Sequence, residues 1–190
     1  MKLLHLDSSI QGEASASRAV TKAVVDRLNS IAHDLQVQYR DLAIAPIDHL
    51  TLMTLGGGGS LILMDEFQAA GIIVIGAPLY NFTIPSQLKA WFDRIIIAGK
   101  TFRYTENGPE GLSNGKMVIV VLSRGGVYDS TNQLSDFEHA ESLLRTMLSF
   151  IGIKNAQFII AEGLALGEER RTIAIKSALL QAENLTMDVN

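Results

Sequence analysis

The amino-acid sequence predicts a doubly wound α/β domain, in which helices cover both faces of one parallel β-sheet. Three runs, residues 72–75, 118–122 and 158–160, are almost wholly apolar, as strands are when both faces are buried in a parallel sheet. Helical spacing of apolar residues fills the segments between strands, and this alternation of strand and helix is typical of an α/β fold. With 190 residues, the chain is most simply one domain, residues 1–190.

Five strands are expected, in the order 2-1-3-4-5. Residues 3–6 form the first strand, and residues 35–39 form the second, in which apolar and polar side chains alternate strictly. This alternation indicates that one face of the second strand meets water, which suits the edge of a sheet. The three apolar runs supply the other strands, and the order 2-1-3-4-5 puts the second strand at an edge. A dinucleotide-binding strand order is the alternative.

Helices are predicted where apolar residues recur three or four positions apart. The first contains Val20, Val24, Leu28 and Ile31; the second spans residues 61–67; the third contains Leu88, Trp91, Phe92, Ile95 and Ile96; the fourth contains Phe137, Ala140, Leu144, Met147, Leu148 and Ile151; a weaker fifth spans residues 168–185. Residues 56–60, four glycines and a serine, are interpreted as a flexible surface loop, because they neither follow a strand nor lead into Gly-Lys-Ser/Thr. Residues 100–115 are too aromatic for a simple linker.

The composition argues against several classes of protein. The net charge of −4 comes from 16 basic and 20 acidic residues, and the basic residues are scattered, so we expect no nucleic-acid partner. Cysteine is absent, which excludes disulfides, thiolate catalysis and cysteine-ligated metal, and the four histidines lack metal-ligand spacing. No apolar stretch matches a membrane span and no signal peptide is evident, so we expect a cytoplasmic protein without membrane contact.

Candidate ligand-binding residues follow the strands, because open parallel sheets bind ligands beyond the carboxyl ends of their strands. After the first strand, Ser9, Ser15 and Ser17 lead into a helix whose first N–H groups are unpaired, which suits a phosphate. Arg18 would add positive charge there. Alternatively, Ser15 or Ser17 is simply the helix N-cap. The loop has neither a Gly-x-Gly-x-x-Gly nor a Walker sequence, which argues against a dinucleotide site and an NTPase. Asp7, which ends the first strand, is interpreted as structural.

Two further loops suit a flat ligand. Residues 78–82, Pro-Leu-Tyr-Asn-Phe, carry more aromatic and polar groups than a connector needs. Residues 123–126, Ser-Arg-Gly-Gly, follow the fourth strand, and their glycines let the backbone approach a ring and donate to its carbonyl groups. A plain turn would look similar. Together, one phosphate loop and two ring-binding loops describe a site for flavin mononucleotide (FMN).

The sequence also resembles the FMN-dependent NADH-azoreductases of the flavodoxin-like fold, over nearly the whole chain. The matching motifs occur in order: Ser8-Ser9-Ile10, Ser15-Ala16-Ser17, APLYNF at residues 77–82, TFRYTENGPEGL at residues 101–112 and SRGG at residues 123–126. In one departure, Leu79 stands where a methionine is usual in this motif, a swap that conserves volume. In a second, the crossover around residues 56–60 is shorter than in those enzymes.

The resemblance implies a role for each motif. The FMN phosphate would be held by Ser9, Ser15, Ala16 and Ser17, and the isoalloxazine ring by Pro78, Leu79, Tyr80, Asn81, Phe82, Ser123, Arg124, Gly125 and Gly126. For Tyr80 and Phe82, ordinary packing beneath the loop is the alternative. Phe102, Tyr104 and Phe150 are candidates for an apolar wall against which flat substrates lie. No catalytic side chain is expected, because the flavin carries the chemistry.

The implied activity is oxidation of NADH and two-electron reduction of azo compounds and quinones through FMN, with ping-pong kinetics. The preference for NADH over NADPH comes from the resemblance alone. A flavodoxin-type FMN electron carrier that does not oxidise NADH is the alternative function. A non-catalytic signalling module of the same fold, which binds no flavin, is a further one.

A homodimer is expected from the fourth helix. Besides its main apolar stripe, the helix carries Leu143 and Phe150, which point elsewhere and need a second covering surface. In the azoreductases, the position that matches Phe150 reaches over the neighbouring subunit's flavin, which implies the same contact here. The alternative is that Phe150 fills the core near the fifth strand.

Overall fold

The structure, a computed structural model, describes residues 1–32, 34–55, 61–128 and 133–187. In chain order its elements are β1 (Lys2–Asp7), α1 (Ala16–Ile31), β2 (Gln36–Asp41), α2 (Leu61–Ala69), β3 (Ile72–Pro78), α3 (Ser86–Ile95), β4 (Phe102–Thr105), β5 (Gly108–Gly111), β6 (Met117–Ser123), α4 (Ala140–Phe150), β7 (Gln157–Ala161) and α5 (Glu168–Glu183). The glycine-rich loop predicted at residues 56–60 lies outside the described residues.

The strands form a parallel sheet in the order β2-β1-β3-β6-β7, and β4 and β5 form a separate antiparallel hairpin. With the hairpin set aside, this is the predicted order 2-1-3-4-5, and the doubly wound fold is confirmed. β2 lies at an edge, as predicted, and most of its side chains are exposed. β3 lies at the centre and is buried along its whole length, which explains its uninterrupted apolar sequence.

Helices cover both faces of the sheet. On one face pack α2, α3 and α4, and Trp91 and Phe92 of α3 are fully buried there. On the other face pack α1 and α5, with Val24 and Leu28 of α1 fully buried. Within the described part of the chain, no helix is long and apolar enough to cross a membrane.

The register of the sheet brings the candidate loops to one edge. Asp7 at the end of β1 lies beside Asp41 of β2, and Pro78 at the end of β3 lies beside Ser123 of β6. Ser123 in turn lies beside Ala161, the last residue of β7. Because the strands are parallel, the segments that follow them meet at this carboxyl edge.

Two segments differ from the prediction. The fourth helix begins at Ala140 rather than Phe137, because the Glu138 carboxylate accepts hydrogen bonds from the N–H groups of Ala140 and Glu141. Phe137 lies in a short 3-10 helix and is 49% exposed. The aromatic segment at residues 100–115 contains the β4–β5 hairpin, which the sequence did not predict.

Candidate functional site

The loop after β1 places buried serines at the N-terminus of α1. Ser15 is the N-cap: its hydroxyl accepts from the N–H of Arg18 (3.3 Å) and lies 3.1 Å from the hydroxyl of Ser17. The N-cap interpretation is therefore correct for Ser15. It leaves the N–H groups of Ala16 and Ser17 without an acceptor among the described residues, as donors at a helix start.

Tyr80 joins the loop after β3 to the loop after β1. Its hydroxyl lies 3.2 Å from Ser9 Oγ and accepts a hydrogen bond from the N–H of Ile10 (3.3 Å). The side chain therefore does more than pack beneath its own loop. It fixes the predicted phosphate loop relative to the predicted ring-binding loop.

Asn81 and Phe82 form a tight turn with left-handed backbone. Their φ angles are 46° and 73°, and the two flanking residues exchange N–H···O bonds of 2.9 and 3.1 Å, as in a type I′ turn. Asparagine tolerates this conformation, but for phenylalanine it is strained. Two contacts hold Phe82 there: its carbonyl accepts from the N–H of His139 (2.9 Å), and its ring contacts Phe137 (5.6 Å between centroids). Strain of this kind is concentrated at ligand sites.

The loop after β6 presents bare backbone. The Ser123 carbonyl accepts from the N–H of Leu79 (2.7 Å), which ties this loop to the loop after β3. The carbonyls of Gly125 and Gly126 accept from the segment after β7 at 2.9 and 2.8 Å, while their N–H groups have no acceptor within the described chain. A Cβ on Gly126 would lie 3.2 Å from the Tyr128 ring, which is tighter than ordinary contact. A flat ligand can approach such a backbone closely.

The Arg124 side chain faces away from this bare backbone. It is buried and donates to Glu141 (2.6 Å), and it lies 3.6 Å from a Glu138 oxygen and 3.5 Å from a Glu162 oxygen. Burial acts to raise the pKa of Glu141, but hydrogen bonds from Arg145 and Arg124 outweigh it and the pKa is lowered. Arg124 therefore holds the loop against the start of α4 and the end of β7. Its own N–H donates to the Ala161 carbonyl (2.8 Å) and its carbonyl accepts from Leu164 (3.1 Å), so the free N–H donors of this loop are those of the two glycines that follow.

Arg18 is occupied in a similar way at the other end of the site. Its guanidinium binds both carboxylate oxygens of Asp41 (2.6 and 2.9 Å) and donates to the Ser9 carbonyl oxygen (2.8 and 3.2 Å). The hydrogen bond from Arg18 lowers the pKa of Asp41. The expectation that Arg18 adds free positive charge to the loop is therefore wrong. Asp7, interpreted as structural, is buried behind this pair and accepts from Thr21 (2.9 Å).

These loops fit FMN through the donors that they present. The start of α1 offers two N–H groups to a phosphate, beside buried serine hydroxyls. Four backbone N–H groups without an acceptor among the described residues lie in the other two loops, those of Asn81, Phe82, Gly125 and Gly126. Donors of this kind suit the carbonyl oxygens of an isoalloxazine ring, and the donor set therefore matches the proposed cofactor.

The predicted substrate wall is assembled, but at the far end of α4. Phe102 contacts both Phe150 (4.6 Å between centroids) and Tyr104 (5.4 Å). The start of α4 adjoins Phe82 through His139, whereas Phe150 is the last residue of the helix, about 15 Å further along its axis. The cluster therefore lies towards the amino ends of β6 and β7. It is therefore at the opposite edge of the sheet from the candidate loops.

Two cavities lie outside the candidate site. One of about 1030 Å³ lies between the β4–β5 hairpin, residues 114–117 and residues 149–155, and Phe150 lines it. Another of about 330 Å³ lies beside the loop after β6, between Val127, Glu162 and α5. None of the residues predicted to bind the flavin lines either cavity, which fits a site on the open edge of a sheet.

Sequence reasoning missed the residues that support these loops from behind. Asp41 binds the partly buried Arg18, whereas the buried Arg124 is surrounded by Glu138, Glu141 and Glu162. None of these four acidic residues lies in a candidate motif. Asp41 lies two residues beyond the predicted second strand, residues 35–39, and this proximity was the available signal. The three glutamates are exposed-looking acidic residues, and no sequence spacing links them to Arg124.

The strand order and the loops at its carboxyl edge define a doubly wound protein of the flavodoxin-like class, which binds ligands at this edge. The comparison with known families agrees. The chain belongs to the Flavodoxin_2 family, described as having a flavodoxin-like fold, whose model matches residues 1–185.

Individual relatives cover almost the whole chain. The FMN-dependent NADH:quinone oxidoreductase of Methylorubrum populi is 51% identical, over 94% of this chain and 96% of that protein. The FMN-dependent NADH:quinone oxidoreductase 2 of Bradyrhizobium diazoefficiens is 47% identical, over 97% and 98%. Among solved structures, an FMN-dependent NADH-azoreductase of Bacillus anthracis in complex with FMN has a TM-score of 0.86 at 26% identity, over 96% of this chain and 95% of that one.

Proposed function

We propose that this protein is an FMN-dependent oxidoreductase that takes hydride from NADH and reduces quinones and azo compounds by two electrons. The observation that carries the proposal is the convergence of a serine loop and two bare-backbone loops at one sheet edge. Its relatives include FMN-dependent NADH:quinone oxidoreductases and an azoreductase solved with FMN. We further propose a cytoplasmic location, as expected from the sequence.

In the proposed reaction, the residues of the chain bind the flavin and orient it, and no protein nucleophile is needed. When bound, FMN supplies the hydride chemistry. Ser9, Ser15, Ala16 and Ser17 would hold its phosphate, while the loops at residues 78–82 and 123–126 would hold the ring. The N–H donors of these two loops would stabilise negative charge on the ring carbonyls, because a fixed backbone dipole needs no reorganisation.

Steady-state kinetics separate this function from that of a flavodoxin-type carrier. We expect NADH consumption with a quinone, and double-reciprocal plots of parallel lines, because nicotinamide and acceptor need the same face of the flavin. Intersecting lines would indicate a ternary complex and separate sites. A protein that binds FMN without consuming NADH would be a carrier.

The cofactor is proposed to be FMN rather than FAD. The loop after β1 offers one set of donors at one helix start, and it lacks the glycine fingerprint of a pyrophosphate site. Heat should therefore release FMN from the purified protein. Released FAD, identified by chromatography, would contradict the assignment.

We also propose a homodimer in which each flavin site is completed by the partner. Phe150 lies about 15 Å along α4 from the start of that helix, so a wall built from it serves another copy's flavin more readily than its own. Leu143 and Phe150 are partly buried against the core, and the exposed positions of α4 are polar. The second apolar face expected on α4 is therefore narrower than the sequence indicates, and the proposal depends on Phe150 and the exposed Tyr104 beside it.

Replacing Phe150 with alanine tests the shared site. As a partner-supplied wall, Phe150→Ala should change the Michaelis constant for the acceptor while folding and flavin content are retained. As a core residue it would cost about 3–5 kcal/mol of unfolding free energy. Leu148→Ala, in the fully buried stripe of the same helix, is the matched control and should cost about 2–5 kcal/mol. A fully active monomer by light scattering would contradict the shared site.

A further inference from the structure

We propose that Arg18 is a positioning residue, which fixes the peptide between Ser9 and Ile10 so that the serine loop is held ready for the phosphate of FMN. The inference rests on the proposed function, because it takes this loop as the phosphate site. It concerns a side chain that lies behind the loop and that would not touch the ligand.

The Arg18 guanidinium is fully paired within the protein. An arginine guanidinium has five N–H donors. In Arg18, two bind the oxygens of Asp41, two share the Ser9 carbonyl oxygen, and one donates to the Tyr39 hydroxyl (3.1 Å). All five donors are used within the protein, so none is left for a phosphate oxygen.

Arg18 holds the peptide between Ser9 and Ile10 in one orientation. The Ser9–Ile10 peptide is planar, so fixing its carbonyl oxygen and its N–H group fixes the orientation of the whole unit. Arg18 binds the carbonyl oxygen at 2.8 and 3.2 Å, and the Tyr80 hydroxyl accepts from the N–H at 3.3 Å. One peptide unit is thus held by Arg18 of α1 on one side and by Tyr80 of the ring-binding loop on the other.

The groups that bind Arg18 are themselves fixed by further hydrogen bonds. Asp41 Oδ1 also accepts from the N–H groups of Ala43 (2.9 Å) and Ile44 (3.1 Å), which fixes the carboxylate at the end of β2. The Tyr39 hydroxyl bridges from Arg18 to the buried Asp7 (3.2 Å). Arg18 therefore holds the loop at a fixed position relative to the ends of β1 and β2. A planar, bidentate guanidinium does this better than a flexible ammonium group.

The test compares FMN with riboflavin, which carries the same ring without the phosphate. Flavin-free protein is titrated with each, and quenching of flavin fluorescence gives the dissociation constants. Arg18→Gln should weaken FMN about tenfold or more and riboflavin by less than about twofold. Arg18→Lys keeps the charge but loses the fork, so it should weaken FMN nearly as much.

Arg40→Gln is the matched control. Arg40 lies in β2 next to Asp41 and, like Arg18, binds a carboxylate at two points, that of Glu66 at 3.0 and 2.5 Å, but it does not contact the serine loop. It should leave the ratio of FMN to riboflavin affinity unchanged, even where it lowers thermal stability as much as Arg18→Gln does.

Each other outcome overturns the proposal. An unchanged affinity ratio in both Arg18 variants would make Arg18 a purely structural residue. Full FMN affinity in Arg18→Lys would mean that charge alone matters, and this variant decides the question if Arg18→Gln does not fold. A wild-type protein that binds riboflavin as tightly as FMN would refute the phosphate site itself, which is a separate failure from that of Arg18.

Discussion

Two arginines at the same edge of the sheet, the partly buried Arg18 and the buried Arg124, support the two halves of the candidate site in different ways. Arg18 pairs with one carboxylate at bonding distance, that of Asp41, and uses every donor. Arg124 lies within 3.6 Å of three carboxylates, those of Glu138, Glu141 and Glu162. Arg18 also lies 3.9 Å from the buried Asp7, so two carboxylates adjoin the arginine of the phosphate half, whereas three adjoin the arginine of the ring half. In both halves, the charged groups position backbone and leave neutral N–H donors for the ligand.

The largest expected effect comes from removing the ring-side arginine. Arg124→Gln leaves three partly buried carboxylates without the buried cation that they share, and we expect a loss of about 3–5 kcal/mol in the free energy of unfolding, measured with denaturant on flavin-free protein. Arg145→Gln is the control, since Arg145 binds the same Glu141 from an exposed position and should cost less than about 1 kcal/mol. Equal losses in the two variants would show that burial of Arg124 has no special weight.

The next effect concerns the bare backbone in front of Arg124. In Gly126→Val, the new side chain meets the Tyr128 ring, and the Gly126 carbonyl is already fixed at 2.8 Å. We expect FMN affinity to fall by about tenfold, more than 1 kcal/mol, in a fluorescence titration. Gly71→Ala, whose Cβ would meet Met1 at an ordinary 3.6 Å, should leave the affinity unchanged. Unaltered FMN binding in Gly126→Val would count against the ring assignment.

A smaller effect is expected at the residue that joins the two halves. Tyr80→Phe removes the hydroxyl that contacts Ser9 and accepts from the N–H of Ile10. We expect FMN binding to weaken by about 0.5–1.5 kcal/mol, the net value of a typical hydrogen bond. An unaffected dissociation constant would mean that the two loops keep their relative position without this contact.

The smallest effect appears on the phosphate side at high pH. Burial and the charges of Asp7 and Asp41 raise the pKa of Tyr39 to about 12, from an ordinary value of 10.0. The unfolded chain therefore loses this proton at a lower pH than the folded protein does. The contribution of the protonated Tyr39 to the free energy of unfolding is present below pH 10 and is lost as pH rises towards 12. The stability difference between wild type and Tyr39→Phe should be constant from about pH 7 to 9 and should narrow above pH 10. A difference that stays constant to pH 12 would contradict the raised pKa.

The sequence predicted the sheet because burial on both faces leaves a strong pattern. Residues 72–75 are all apolar because β3 lies at the centre of the sheet and is buried on both faces. The β4–β5 hairpin was missed because three of the four side chains of β4 are exposed and its partner strand contains two glycines and a proline. The start of α4 was misplaced because Phe137 has the spacing of the apolar helix positions that follow it. The helix begins only at Ala140, where the Glu138 carboxylate accepts from the first N–H groups.

For the candidate site, the sequence identified the loops but not their supports. Loops carry local signals, such as the paired glycines at residues 125–126. Arg18 was expected to offer its charge to the ligand and instead binds Asp41, which lies 23 positions away at the end of β2. A lone arginine beside serines suggests a free cation, and only the packing of β2 against β1 shows that its charge is already neutralised.

The most direct test is the visible spectrum of the purified protein under anaerobic conditions. We predict the absorbance of an oxidised flavin, its bleaching on addition of NADH, and its recovery on addition of a quinone. A flavin spectrum that NADH leaves unchanged while dithionite bleaches it would contradict the proposed oxidoreductase and would leave an electron carrier. A colourless protein that takes up no added FMN would contradict the flavin site altogether.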